Sequence, residues 1–91
     1  MTAQVEIYTT QTCGYCRMAK QLLARKEVTY TEIDVSSDAA LRRTMMQRAG
    51  GRTSVPQIFI GGQHVGGCDD LYELNDAGGL DKMLAGQSVN P

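Results

Sequence analysis

No charge of one sign prevails in this sequence: nine Lys and Arg stand against ten Asp and Glu, a formal net charge of -1. That balance leaves no electrostatic footprint for nucleic acid or an anionic membrane. No apolar run approaches the ~20 residues of a membrane-spanning helix. Met1 to Tyr8 lacks a basic stretch leading into an apolar one, so it does not read as a secretory signal, and a cytoplasmic location is expected. Internal repeats and linkers are missing too, and 91 residues with 42% hydrophobic positions suffice for one domain around one core. Cysteine is scarce and odd in number: there are three, two of them at Cys13 and Cys16. These grounds argue against a structural disulfide framework, and in a reducing compartment a Cys-x-x-Cys pair is more often catalytic or metal-binding.

What is present alternates in type along the chain. Gln4 to Tyr8 is rich in β-favouring residues and reads as a strand running into a loop at Thr9 to Thr12. From Gly14 to Lys26, Ala19, Leu22 and Leu23 fall at helical spacing, with Arg17, Lys20, Gln21 and Arg25 on the opposite side. This amphipathic helix begins at the cysteines. Val28 to Val35 reads as a second strand, and Ser36-Ser37-Asp38 as a helix start. The second helix is expected over Asp38 to Ala49, with Leu41, Met45 and Ala49 inward, Arg42, Arg43 and Arg48 outward, and Gly50-Gly51 as the stop.

Gln57 to Ile60 and Gln63 to Gly66 read as a β-hairpin about Gly61-Gly62, a dipeptide suited to a primed turn. A last helix is expected from Asp69-Asp70 through Leu71 and Leu74 and, past Gly78-Gly79, to Leu84. The domain then spans residues 1–85, with a loose tail over 86–91. The order βαβαββα demands one parallel crossover and one hairpin, hence an α/β fold with a small mixed four-stranded sheet flanked by helices.

Cys13-Gly14-Tyr15-Cys16 stands between a strand and a helix, the context that turns a bare Cys-x-x-Cys into a redox hypothesis. Unpaired N–H groups and the dipole at a helix N-terminus stabilise a thiolate, which makes Cys13 the expected nucleophile. Cys16, one turn inside, is placed to be the resolving thiol. Cys13, Cys16, His64 and Cys68 also spell a zinc-like set, but the long gap and the strand–helix placement argue against it. His64 reads as a neutral strand residue and Cys68 as a small half-buried one.

Val5 to Tyr8, Cys13-Gly14-Tyr15-Cys16, Thr53 to Ile60 and Gly66-Gly67-Cys68-Asp69-Asp70-Leu71 together resemble, in order and interval, the successive signatures of the glutaredoxins. The resemblance covers nearly the whole chain, and the second cysteine resembles dithiol members. It implies a thioredoxin-like fold and glutathione-dependent reduction of protein disulfides and of protein–glutathione mixed disulfides. Cys13 then attacks the glutathionyl sulfur, and a second glutathione or Cys16 resolves the adduct.

The resemblance also implies a cis Val55–Pro56 bond that turns the Val55 N–H and C=O toward the cysteines, so that a thiol peptide pairs with Val55 as an added strand. By sequence alone, an ordinary proline at the start of an edge strand is equally compatible. The glutathione-binding residues implied are Tyr15, Arg43, Ser54, Val55, Pro56, Gly67, Cys68, Asp69 and Asp70. Glutathione carries two carboxylates and one ammonium. The N–H groups of the helix opened by Asp69 and Asp70 suit the γ-glutamyl carboxylate, and one Asp suits the ammonium. The same Asp residues are helix caps, and both roles are compatible. Arg43, by its spacing from Val55, is assigned the glycyl carboxylate, while Arg42, Arg48 and Arg52 read as a solvated face.

Two positions depart from the family pattern. Thr10 stands three residues before the nucleophile, where many relatives carry lysine, so one cation near the glycyl carboxylate is missing. Gly14 replaces a proline common between the cysteines and loosens the backbone there. Members without that proline tend to carry clusters, so Gly14 raises a second function: a dimer in which Cys13 of two subunits and two glutathione thiolates hold a [2Fe–2S] cluster. In the enzyme form a monomer without metal is expected, with glutathione as cosubstrate and disulfide-containing or glutathionylated proteins as partners.

Overall fold

The structure is a computed structural model that describes residues 3–86, so nearly all of the expected tail lies outside the described residues. Its elements in chain order are β1 (Val5–Thr9), α1 (Gly14–Arg25), β2 (Thr31–Asp34), α2 (Ala39–Arg48), β3 (Gln57–Ile60), β4 (Gln63–Gly66), α3 (Cys68–Asp76) and α4 (Gly79–Leu84). The four strands form one mixed sheet in the order β2-β1-β3-β4. β1 runs parallel to β2 and antiparallel to β3, and β3 pairs antiparallel with β4. Gly61 and Gly62 both have positive φ, 60° and 81°, as a primed hairpin turn requires.

Strand alternation decides which helices cover which face. Val5 and Ile7 of β1 and Ile58 and Ile60 of β3 share one side, buried against Ala19, Leu22 and Leu23 of α1, Leu71 of α3, and Leu80, Met83 and Leu84 of α4. Tyr8 and Phe59 face the other side and pack with Val35 and with Met45 and Ala49 of α2. The first face is the larger core. It fixes α1 against α3, and so brings the Cys13 end of one helix near the Cys68 end of the other.

Three details differ from the sequence pattern. The last helix is two helices: Gly78, at φ 81°, takes a left-handed conformation that ends α3 and starts α4. β2 is shorter than the β-favouring run, because Val28 and Tyr30 pack partly buried on the larger core before the pairing with β1 begins at Thr31. α2 is rotated relative to its expected stripe. Leu41 remains 37% exposed, whereas Arg48 is drawn onto the sheet. Its guanidinium donates to Glu6 at 2.8 Å and to the Tyr8 hydroxyl at 2.9 Å and lies 4.0 Å from the Phe59 ring centre. Glu6 and the Tyr8 hydroxyl need a donor on this face, and a guanidinium satisfies both while covering Phe59. No helix among the described residues is long and apolar enough to cross a membrane.

Candidate active site

β1 ends at Thr9, the chain turns, and α1 starts at Gly14 with Cys13 as its N-cap. At this position a side chain usually supplies an oxygen to the first free N–H groups. Here it supplies sulfur: Cys13 Sγ accepts from the Cys16 N–H at 3.1 Å. The same thiol reaches the Val55 carbonyl at 3.7 Å. Cys13 is half-buried, whereas Cys16 is 1% exposed. Burial, followed by the neighbouring Cys13, pushes the Cys16 thiol up to about 12. One thiol therefore faces the outside and the other is held protonated behind it.

The Val55–Pro56 bond is cis, as the family resemblance implies. The next residue, Gln57, folds its side chain back, donating from Nε2 to the Ser54 carbonyl at 3.0 Å. Beyond the hairpin, Gly67 caps α3, and Asp70 reaches back to accept the Gly67 N–H at 2.8 Å, one half of a capping box. Arg52 Nη1 donates to the same Asp70 oxygen at 3.0 Å. The Gly67 N–H first, and then Arg52, hold the Asp70 carboxyl below its ordinary value against the effect of burial. Gly66 is required beside this pair: its φ is 123°, and a Cβ there would strike the Asp70 carboxylate. The Cys68 thiol is pushed up, chiefly by burial and then by the Asp69 carboxylate.

Between the Ser54–Pro56 loop and the start of α3 lies an open cleft of about 270 Å³, lined by Tyr15, Arg52, Ser54, Val55, Pro56, Gly67, Cys68, Asp69 and Asp70. Eight of these are residues singled out in the sequence for glutathione. The ninth, Arg52, belongs by sequence to an expected solvated face and instead lines the cleft. Conversely, Arg43 is not in the lining: it lies on α2 beside Met46, Gln47 and Gly51. Its spacing from Val55 and the family resemblance point to Arg43, but the path of the chain after α2 brings Arg52 to Asp70. A cation near the acidic start of α3 was the signal that could have found it. The zinc-like set is not gathered. Among the described residues no three His, Cys, Asp or Glu side chains come together so as to hold a metal. His64 instead shares a hydrogen bond of 2.7 Å with Gln57.

Two thiols so unequal in depth suit disulfide exchange, and on this sheet they define a thiol–disulfide oxidoreductase of the thioredoxin-like class. The glutaredoxin family model matches residues 5–65. Glutaredoxin 3 of Escherichia coli K12 is 56% identical over 82 residues, which cover 90% of this chain and 98% of that one. The solution structure of a glutaredoxin from Brucella melitensis matches with a TM-score of 0.84 at 52% identity, over 97% of this chain and 96% of the other. The crystal structure of a buckwheat glutaredoxin–glutathione complex matches with a TM-score of 0.82 at 32% identity, over 90% of this chain and 76% of the other. The chain belongs to the glutaredoxin family.

Proposed function

We propose that this protein uses glutathione to reduce protein–glutathione mixed disulfides and protein disulfides, with Cys13 as nucleophile. The observation that carries the reading is the placement of Cys13 Sγ against the Val55 carbonyl, at the side of a cleft whose lining also includes Asp69, Asp70 and Arg52. The Cys13 thiolate attacks the glutathionyl sulfur of the substrate. The substrate sulfur leaves as a thiolate and takes up a proton. A second glutathione thiolate then attacks the Cys13 adduct, which releases oxidised glutathione and regenerates the Cys13 thiolate. In the dithiol route Cys16 loses its proton and displaces the bound thiol, forming a Cys13–Cys16 disulfide that two glutathiones reduce in turn.

Glutathione lies along Val55 in this reading, pairing with its main chain as an added strand. Its γ-glutamyl carboxylate meets the free N–H groups of α3 beside Arg52, and Asp69 takes the ammonium. A reducing cytoplasm is the setting this chemistry needs. The test is turnover of a glutathionylated peptide with glutathione as reductant. Cys13→Ser should abolish it, while Cys16→Ser should retain it yet lose most reduction of a protein disulfide. An active Cys13→Ser variant with a dead Cys16→Ser variant would reverse the roles.

A second reading, a [2Fe–2S] cluster held between two copies, is favoured by Gly14. It is the first residue of α1, it is exposed, and nothing lies within 4 Å of where its Cβ would be. One chain does not supply the ligands, since Cys16 and Cys68 are buried. Cys13 from each of two chains and two glutathione thiolates complete the set. Anaerobic reconstitution with iron, sulfide and glutathione should give a brown dimer that Gly14→Pro abolishes without loss of turnover. A colourless monomer refutes the cluster reading.

A further inference from the structure

Gln57 is wholly buried, and both ends of its amide are in use. Nε2 donates to the Ser54 carbonyl at 3.0 Å and lies 3.4 Å from the Ser54 hydroxyl. Oε1 is 2.7 Å from His64 Nε2, and because the amide N–H groups serve Ser54, it is His64 that donates. The His64 ring is stacked at a tilt on Phe59, 5.0 Å between centres, directly across the β3–β4 pairing. The peptide gripped in this way joins Ser54 to Val55, whose own carbonyl meets Cys13. A side chain in β3 thus reaches back across Pro56 to the loop, and the neighbouring strand decides which way its amide points.

We propose that Gln57, braced by His64, is a positioning residue for the reaction, holding the Ser54–Val55 peptide so that the Val55 main chain meets the incoming thiol peptide. The proposal rests on the reading of Val55 as the strand-like partner of glutathione. It gives a purpose to a polar residue opening a strand whose other members, Ile58, Phe59 and Ile60, are all buried and apolar. The charges facing His64 are Arg52, Asp70 and Arg48. Protonation of its other nitrogen leaves the Nε2–H donor intact, so the brace itself does not depend on the charge of the ring.

Gln57→Glu tests this, because a carboxylate there sets an oxygen against the Ser54 carbonyl, whereas a protonated carboxyl donates as the amide does. The ratio of variant to wild-type KM for a glutathionylated peptide should be about tenfold at pH 8 and fall toward one as pH is lowered, with kcat changed far less. In the same variant without any glutathione, the Ser54 and Val55 amide resonances should titrate with the new carboxyl. Gln57→Met, similar in length and without hydrogen bonds, should raise KM at every pH, and serves if Gln57→Glu does not fold. Silent amides, or a folded Gln57→Met with wild-type KM and resonances, overturn the proposal. Titrating amides with a flat KM ratio support the brace and overturn instead the reading of Val55 as glutathione's partner.

Discussion

A single carboxylate oxygen of Asp70 accepts from both the Gly67 N–H, at 2.8 Å, and Arg52, at 3.0 Å. It therefore closes the first turn of α3 and at the same time sets where the cationic side chain of the cleft can lie. The Asp70 carboxyl is held below its ordinary value by the Gly67 N–H first and Arg52 next.

A carboxyl with a depressed folded value contributes stability that is present above its unfolded value of about 3.9 and is lost as pH falls through the folded one. Asp70→Asn keeps an oxygen for the Gly67 N–H but removes the charge that both donors favour, so it should lower the urea midpoint at pH 7 by the equivalent of about 0.5 kcal/mol, a screened value for a carboxylate that is 39% exposed. The difference from wild type should narrow as pH is lowered from about 4 toward 2. A difference that stays constant over that window would contradict the assignment.

Gly66 lies one residue outside the α3 cap, at φ 123°, and a Cβ there meets the Asp70 carboxylate. Gly66→Ala should cost about 1–3 kcal/mol through backbone strain and displacement of that carboxylate. In a double variant with Asp70→Asn the two losses should be less than additive, since they disturb one contact. Thermal melts of the four proteins measure this, and strict additivity would count against a shared cause.

Cys16 is 1% exposed, with its thiol pushed up to about 12 by burial first and Cys13 second. At pH 8 only about one Cys16 in ten thousand is then a thiolate, and the thiolate is the reactive form. Iodoacetamide at that pH should add a single group to the native reduced protein, at Cys13. Cys16 and Cys68, both buried, should react only after denaturation. Peptide mass mapping reads the sites, and native labelling of Cys16 as fast as Cys13 would remove the basis for their unequal roles.

Gly14 opens α1 and has free space around the position of a Cβ. Gly14→Ala should stabilise the protein by about 0.4–1 kcal/mol, because it restricts the unfolded chain without a clash in the folded one. Turnover of a glutathionylated peptide should change little. A lowered melting temperature would mean that this position needs the freedom of glycine.

How far the sequence reached can be judged residue by residue. Ala19, Leu22 and Leu23 announce α1 through spacing alone, and all three are buried in the larger core. Cys13 at the start of that helix follows directly, as do the Asp38 cap of α2 and the Gly61-Gly62 turn. These features depend on neighbours within one turn of helix or one hairpin, where period, caps and glycines are written locally. Eight of the nine cleft residues were legible for a different reason. They sit in short blocks, Tyr15 with the cysteines, Ser54 to Pro56, and Gly67 to Asp70, whose order resembles a known family.

Other features exist only once separate elements cross. Which arginine reaches the cleft, Arg52 or Arg43, depends on the route of the chain between α2 and Pro56. Whether Leu41 or Arg48 turns inward depends on the rotation of α2 over Tyr8 and Phe59. The Gln57–His64 contact depends on the β3–β4 register, which carries a shift between Ile58 and Phe59. The sequence by itself determined the kinds of elements, their order up to the break at Gly78 and the two thiols at a helix start, because those are set by local spacing. Only the tertiary structure decided which polar side chains meet, because a hydrogen bond or ion pair needs distances of about 3 Å between atoms that chain order leaves far apart.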